Sequence, residues 1–206
     1  MPDDAPAARP SSLRKRAAVL TAGRALFLGE GYERTSVDAV AARAGISKRT
    51  VYDYFGDKDG LFDAVITDAA AEVVAAMRGA IEEELAAGRD LREALLAFAR
   101  RIATATIASS DHRLLRQLMR ADRRARRSLT EFEYLPEALL AGRFAELAGE
   151  GVLSAKNTGR AAQHFIALTF MLALDVSSTA PAADAEIDAL LVDGVDAFLR
   201  AYRPYP

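Results

Sequence analysis

Apolar residues recur at helical spacing along most of the chain, and the clearest pattern lies between residues 35 and 58. Four residues at positions i, i+3, i+4 and i+7 form one apolar stripe of a helix, namely Val37, Val40, Ala41 and Ala44. Thr35 precedes the stripe and is predicted to accept hydrogen bonds from the free backbone N–H groups at the helix start. Gly45 follows the stripe and predicts its end, because glycine tolerates the left-handed conformation found there.

A second short helix is predicted from Ser47 to Phe55, with Ser47 as its N-cap. At about 100° per residue, Val51 and Phe55 fall on one side of this helix, with Tyr54 beside them. The other side and the exposed first turn carry polar residues, which are Lys48, Arg49, Thr50, Tyr52 and Asp53. Two short helices joined by a tight glycine-containing turn indicate a helix–turn–helix. The polar side of the second helix suits the major groove of DNA.

The polar residues of this stretch have side chains that can contact DNA. Arg49 can donate two hydrogen bonds to guanine or pair with phosphate. The hydroxyls of Thr50 and Tyr52 can reach phosphate oxygens, and Lys58 can clamp the backbone from the start of the next helix. Asp53 would repel phosphate, so we expect it either to accept from the N4 amino group of cytosine or to pair with Arg49, four residues earlier. We prefer the pair with Arg49.

The stretch from Gly31 to Phe62 closely resembles the DNA-binding domain of the TetR family of transcriptional regulators. The residues that carry the resemblance are Gly31-Tyr32, Thr35-Ser36, Val40-Ala41, Ala44-Gly45, Ser47, Thr50, Tyr52, Tyr54-Phe55, Lys58 and Leu61-Phe62. The resemblance implies that the partner is a double-stranded DNA operator. Together with the chemistry above, it predicts a set of DNA-contacting residues: Thr35, Ser36, Lys48, Arg49, Thr50, Tyr52, Tyr54 and Lys58.

Helical patterns continue through the rest of the chain, and no alternation of apolar and polar residues predicts a strand. The helices beyond the motif are predicted at about residues 12–29, 57–87, 91–109, 110–120, 129–149, 158–177 and 184–202. The residues of the first helix expected to pack on the motif are Leu13, Ala17, Leu20 and Phe27. Pro136 is expected to kink or split the helix that contains it. The fold class is therefore all-α.

The predicted organisation has three parts. Residues 1–11 hold three prolines and little to bury, so we expect a disordered arm. Residues 12–60 form the N-terminal three-helix domain with the helix–turn–helix, which binds DNA. Residues 61–206 form a helical domain, and the resemblance implies that it serves ligand binding and dimerisation.

The last two predicted helices are the most apolar of the chain. They can complete the core of one chain, or they can pack against their copies in a second chain as a four-helix bundle. The family resemblance implies the second arrangement, a homodimer. The residues predicted for its interface are Phe170, Leu174, Leu191, Val195 and Phe198.

Charge and composition exclude several classes of protein. The net charge is −2, with +2 on residues 1–62 and −4 on residues 63–206, which fits a small DNA-reading module joined to a more acidic body. There is no cysteine, no targeting segment, and no apolar stretch of the about 20 residues that span a bilayer. We therefore expect a cytoplasmic protein without a membrane segment.

The sequence contains no enzyme motif. HExxH, GxSxG, Walker A and GxGxxG patterns are all missing, and two histidines alone do not build a metal site. We therefore predict no enzymatic activity, no cofactor and no metal. Seven arginines lie between Arg113 and Arg127, and they form either a cationic ligand site or a solvated helix exterior. We prefer the solvated exterior.

The resemblance implies that the helical body binds a small molecule, and that the helix joining it to the DNA-binding domain transmits the signal. Two recognition helices can read half-sites about 34–36 Å apart at only one separation, so a ligand that prefers another separation reduces DNA binding. The predicted pocket residues are Phe98, Arg101, His112, Met119, Phe132, Tyr134, Phe165 and Thr169, although plain core packing also explains them.

The predicted function is that of a homodimeric repressor of a palindromic operator, released by a small molecule that is apolar or aromatic. The alternative is a helical DNA-binding dimer whose body binds a protein partner or no ligand.

Overall fold

The chain folds into helices that follow one another without strands in the part that the structure describes, as the sequence predicts. This structure is a computed structural model, and it describes residues 10–107, 135–174 and 184–204. The helices are α1 (Pro10–Glu30), α2 (Val37–Ala44), α3 (Lys48–Phe55), α4 (Lys58–Glu84), α5 (Leu91–Ile107), α6 (Leu135–Gly149), α7 (Thr158–Ile166), the π-helical segment π1 (Ala167–Met171) and α8 (Asp184–Tyr202). None of the helices described in these ranges is long and apolar enough to cross a membrane.

The helices form two compact units. The described part of the first unit is residues 10–70, which contain α1, α2, α3 and the beginning of α4. The described part of the second unit contains the rest of α4 together with α5, α6, α7, π1 and α8. One continuous helix, α4, therefore supplies residues to both units.

The first unit is built around three aromatic rings from α1, α4 and the segment after α1. The ring of Phe62 lies 5.0 Å from that of Phe27 and 4.8 Å from that of Tyr32, in edge-to-face arrangements. Phe27 and Phe62 are fully buried. Arg24 of α1 adds an ion pair to Asp68 of α4 at 2.6 Å. These contacts fix α1 on the beginning of α4, and such aromatic pairs stabilise beyond their buried area.

The prediction for the packing of α1 is half right. Leu20 and Phe27 are buried as expected. Leu13 and Ala17 are exposed, and Leu13 exposes 57% of its surface. The first turns of α1 instead contact α3 through the backbone carbonyl and the hydroxyl of Ser12, both of which accept from the hydroxyl of Tyr54.

The ends of the two motif helices follow their capping residues. The N-cap of α2 is Ser36, whose Oγ accepts from the N–H of Ala39, and the predicted cap at Thr35 is wrong. Thr35 is buried and donates its hydroxyl to the carbonyl of Gly31, so it is not available as a cap. Gly45 ends α2 in the left-handed conformation with φ 68°, and Ser47 caps α3, as predicted.

The second unit has a core rich in phenylalanine. Four of its largest fully buried side chains are Phe98, Phe144, Phe165 and Phe198. The ring of Phe165 lies 5.2 Å from Phe198, 5.9 Å from Phe144 and 6.0 Å from Phe98, which places α7 at the centre of this core. The described part of the helix that contains Pro136 runs from Leu135 to Gly149, and the residues before Leu135, which the predicted kink or split involves, lie outside the described residues. The predicted helix 110–120 and the arginines from Arg113 to Arg127 lie outside the described residues.

Two bidentate ion pairs join α5 to α8. Arg92 binds Asp196 at 2.6 and 3.0 Å, and Arg100 binds Asp188 at 2.6 and 2.8 Å. The guanidinium beside each carboxylate lowers the pKa of Asp188 and Asp196 below the ordinary value, mainly by hydrogen bonding. Since the pairs are spaced eight residues apart on both helices, they favour one alignment of α5 along α8.

The most apolar helix contains the π-helical segment π1. Phe165, Thr169, Phe170 and Ala173 are buried, whereas Gln163, His164 and Ala167 are exposed. Met171 exposes 58% and Leu172 47% of their surface. A π-helical turn adds a residue to the turn and shifts the side chains that follow around the helix axis. We attribute the outward position of these two apolar residues to that shift.

A glycine allows α8 to approach π1 closely. A Cβ atom added at Gly194 would overlap the backbone carbonyl oxygen of Leu168, and it would also lie 3.0 Å from Cγ2 of Thr169. A backbone carbonyl inside a helix cannot rotate away as a side chain does. The packing of α8 on π1 therefore requires the absence of a side chain at residue 194.

We predict that Gly194→Ala lowers the thermal stability of the second unit, because the added methyl separates α8 from π1. The expected loss is about 1–3 kcal/mol, the range of overpacked cores. Gly142→Ala is the matched control, since Gly142 is helical and has no atom within 4 Å of an added Cβ. Alanine should leave stability there unchanged or raise it. Calorimetry of both variants checks this, and equal melting temperatures would contradict the close approach.

Candidate nucleic-acid interface

The inner side of α3 is held by contacts within the first unit. Val51 is 1% exposed and fills the corner between the helices. Phe55 is half-buried and lies under the guanidinium of Arg16, 5.5 Å from the ring centre. The hydroxyl of Tyr54 donates to Ser12. A helix of eight residues is not stable alone in water, so these contacts are what keep α3 in place.

The outer side of α3 presents three polar residues to solvent, which are Arg49, Tyr52 and Asp53. The preferred pairing of Arg49 with Asp53 is wrong: neither side chain forms an ion pair or hydrogen bond with the residues that the structure describes. The arginine precedes the aspartate by four residues, which is the weaker order for a helical ion pair. An exposed pair also gains little over two solvated charges. Both groups are therefore available to a partner.

Lys48, at the start of α3, is engaged by α2. Its ammonium group donates to Oδ2 of Asp38 at 2.8 Å and lies 6.0 Å from the centre of the Tyr52 ring. The hydrogen bond and the charge of Asp38 raise the pKa of Lys48. Asp38 is not among the predicted DNA-contacting residues, and its pair with Lys48 was not predicted. The signal that could have found it is an acidic residue in the first turn of α2 facing the first residue of α3.

Lys58 is anchored to the segment before α2. Its ammonium group donates to the carbonyl of Glu33 at 3.2 Å and lies 4.3 Å from the centre of the Tyr32 ring. Tyr32 in turn donates its hydroxyl to Asp59. Lys58 is half-buried, and these contacts fix its position at the start of α4. The predicted contact with the DNA backbone would therefore be made from a pre-ordered side chain.

The remaining predicted DNA-contacting residues differ in exposure. Ser36 is exposed, and its hydroxyl caps α2. Thr50 is half-buried and shares a hydrogen bond with Ser47 between their hydroxyls at 2.8 Å. Thr35 is 2% exposed, and Tyr54 is turned towards α1. We therefore remove Thr35 and Tyr54 from the proposed contacts, because their polar groups serve the fold of the unit.

Three of the predicted pocket residues lie together in the core of the second unit. Phe98, Phe165 and Thr169 are fully buried, and Thr169 donates its hydroxyl to the carbonyl of Phe165 at 2.6 Å. These three are explained by core packing. The other four besides Arg101 lie outside the described residues, namely His112, Met119, Phe132 and Tyr134.

Arg101 has no partner in the aromatic core among the residues that the structure describes, and its role in a ligand pocket stays a prediction. Its guanidinium instead binds the carboxylates of Glu83 and Glu84 at the end of α4, and it lowers the pKa of Glu83. The same end of α4 is held by Arg143, which donates to the carbonyl of Leu85 at 2.8 Å. Cations near the last carbonyls of a helix also interact favourably with its dipole. Arginines of α5 and α6 therefore fix the C-terminal end of α4 within the second unit.

The predicted dimer-interface residues are largely used by the single chain. Phe170, Leu191, Val195 and Phe198 expose 6% or less of their surface, and only Leu174 is half-buried. Side chains already inside one chain cannot also cover a second chain without repacking. The exposed apolar residues Met171 and Leu172 were missed, because a π-helical turn leaves no signal in the apolar spacing. In the described ranges, no group of acidic residues and histidines can hold a metal ion.

The arrangement defines a class of protein. A short helix is capped by serine, fixed along its inner side and polar along its outer side, and it follows a tight turn in a helix–turn–helix. This is the geometry of a DNA-reading head. Residues 19–65 match the family described as "Bacterial regulatory proteins, tetR family", and residues 93–204 match the "AefR-like transcriptional repressor, C-terminal domain". The chain belongs to the TetR family of transcriptional regulators.

Solved structures and a curated relative agree with this membership. A TetR-family regulator of Mesorhizobium loti MAFF303099 shares the fold with a TM-score of 0.85 at 24% identity, over 95% of this chain and 100% of that one. The flavonoid-responsive regulator FrrA has a TM-score of 0.68 at 30% identity, over 94% and 99%. The transcriptional activator FasR of Mycolicibacterium smegmatis is 32% identical over 84 residues, which are 41% of this chain and 38% of FasR.

The chain spans less than half the length of the curated relatives it matches. What the family membership establishes is a transcriptional regulator with a DNA-binding helix–turn–helix. The membership also confirms the prediction that the chain is not an enzyme, since the proteins of this family are DNA-binding regulators.

Proposed function

We propose that the chain is a homodimeric repressor that binds a palindromic operator and is released by an aromatic small molecule. The proposal that the chain reads DNA rests on the exposed polar residues of the outer side of α3. Arg49 and Asp53 are exposed there without partners among the described residues, and the inner side is fixed by Val51. A fixed helix with unpaired donors and acceptors can be matched to base edges, Arg49 to guanine and Asp53 to cytosine.

Arg49→Ala is expected to remove sequence preference. The loss of one bidentate contact should weaken binding to the selected operator by about 1–3 kcal/mol, with a smaller loss on random DNA. The operator would be selected from a random pool with the wild-type protein, and affinities measured by fluorescence anisotropy.

Arg78→Ala is the matched control for this measurement. Arg78 is exposed on the part of α4 that belongs to the second unit, so its replacement changes the net charge equally but leaves the reading head intact. If both arginine variants lost the same affinity on operator and random DNA, Arg49 would act only as a general positive charge. If the wild-type protein selected no site at all, the proposed DNA-reading function would be wrong.

The proposed dimer contact is the exposed apolar surface at the end of π1. Met171 and Leu172 are large, apolar and exposed, although Thr169 and Phe170 just before them are buried. A second copy would cover them by symmetry, since two-fold contacts use the same surface on both chains. Two recognition helices held by one dimer can read two half-sites about 34–36 Å apart.

Met171→Glu is expected to dissociate the proposed dimer. A carboxylate covered by a second chain and left without a partner should raise the dimer dissociation constant on the order of 100-fold. Val152→Glu is the control, because Val152 is also apolar and exposed but lies in the turn after α6. Sedimentation equilibrium of both variants provides the measurement. An unchanged dimer with Met171→Glu would place the interface elsewhere.

The proposed effector is aromatic. The core of the second unit brings together Phe98, Phe165 and Phe170 at ring separations of 5.9–6.1 Å, and such rings stack with planar ligands. FrrA, with 30% identity to this chain, is named as flavonoid-responsive. The alternative, a dimer that binds a protein partner or no ligand, has no comparable support in these contacts.

Flavonoids are therefore the first compounds to test for release from the operator. If one is an effector, the affinity for DNA should fall by about 5–150-fold, the usual range of coupling between two sites. Anisotropy of labelled operator during titration with a flavonoid panel, and with saturated fatty acids as apolar non-aromatic controls, gives the measurement. If only the fatty acids released the protein from the operator, the proposal of an aromatic effector would be wrong.

A further inference from the structure

Asp38 and Lys48 connect the first turns of the two motif helices. Asp38 lies in the first turn of α2, and Lys48 is the first residue of α3. The ammonium nitrogen of Lys48 and Oδ2 of Asp38 are 2.8 Å apart, and both side chains are at least half exposed. The pair therefore lies on the solvent surface of the reading head, next to the outer side of α3.

The environment keeps this pair charged and together. A lysine is protonated at physiological pH, and the hydrogen bond and the charge of Asp38 raise the pKa of Lys48 further. The ring of Tyr52, four residues later on α3, lies at the outer limit of a cation–π contact with the same ammonium group. Asp38 also lies in the first turn of α2, where the positive end of the helix dipole attracts a carboxylate.

DNA makes separation of the two groups unfavourable. In a helix–turn–helix, the first helix crosses the phosphate backbone while the start of the second helix enters the major groove. If Lys48 left for a phosphate, it would leave the carboxylate of Asp38 unpaired beside a polyanion. The two groups together carry no net charge, so the pair adds little to the attraction that any DNA sequence exerts. Arg49, the next residue, is unpaired and can read bases.

We propose that Asp38 is a specificity-determining residue that acts through Lys48. Asp38 holds Lys48 in a pair without net charge. One positive charge is then missing from the sequence-independent attraction to phosphates, and Arg49 remains to contact the bases. Affinity for all DNA is lowered, but the ratio between operator and random DNA is raised. Asp38 is thus a positioning residue, and this inference depends on the DNA-reading function proposed above.

Asp38→Asn tests the proposal, because the amide keeps the shape of the side chain and removes its charge. Binding would be measured on the selected operator and on a random duplex of the same length, at salt concentrations between about 50 and 200 mM. On random DNA we expect a three- to tenfold gain in affinity, roughly that of one added phosphate contact, and a salt dependence steeper by about one ion. The gain on the operator should be smaller, so the specificity ratio falls.

Two further variants identify the cause. In a Lys48→Gln background, Asp38→Asn should no longer steepen the salt dependence, because no lysine is released. Glu30→Gln changes the net charge equally at the end of α1, where the side chain has no partner among the described residues, and should leave the salt dependence as in wild type. Melting temperatures of all variants would show that each one is folded.

The outcomes separate this inference from the proposed function. An unchanged or shallower salt dependence for Asp38→Asn would overturn the inference. It would also be overturned if Asp38→Asn steepened the salt dependence equally in the wild-type and the Lys48→Gln backgrounds. In both cases a wild-type protein that still prefers its selected operator would leave the proposed DNA-reading function intact. A wild-type protein without any preference would instead refute that function, and the inference with it.

Discussion

The reading head depends on the contact between the rings of Phe27, Tyr32 and Phe62. A recognition helix of eight residues has too few internal hydrogen bonds to persist by itself. Its position comes from α1 and from the start of α4, and the three rings hold those two elements together. Tyr32 also carries Lys58 over its ring and donates to Asp59, so the same contact orders the start of α4. The contacts on the inner side of α3 stabilise its position. The outer side can therefore carry polar groups that contribute nothing to folding.

That freedom explains the charges around α3. A reading head that maximised attraction to DNA would leave every cation unpaired, yet Lys48 is bound by Asp38 while Arg49 is not. Attraction to phosphates is shared by all sequences, whereas a contact to a base edge is not. Because Lys48 is paired and Arg49 is not, affinity for any DNA is lowered more than affinity for the operator. The exposed carboxylate of Asp53 also lowers general affinity more than specific affinity. It repels phosphates on any DNA, and only a base with a hydrogen-bond donor compensates for that repulsion.

The sequence predicted those features that depend on neighbours within a few residues. The stop at Gly45, the cap at Ser47 and the buried position of Val51 follow from local chemistry and helical spacing. One miss is nevertheless local: Ser36 and not Thr35 caps α2, and Thr35 donates its hydroxyl to the carbonyl of Gly31, four residues earlier. The other depends on a contact across the fold, because Arg101 pairs with Glu83, eighteen residues away along the chain. Spacing alone carries no information about such partners.

The second unit shows how one local deformation couples its core to its surface. The π-helical segment brings the carbonyl of Leu168 against α8, where only a glycine fits, and turns Met171 outwards two residues after the buried Thr169. Phe170, in the same segment, lies 6.1 Å from Phe98 in ring separation. A planar molecule inserted between these rings would have to move Phe170, and a tightly packed core transmits such a shift instead of absorbing it. The residues next to it in the segment include Met171, the proposed dimer contact. A ligand in the core and a partner on the surface would therefore act on the same turn of helix, which is the physical requirement for one to change the binding of the other.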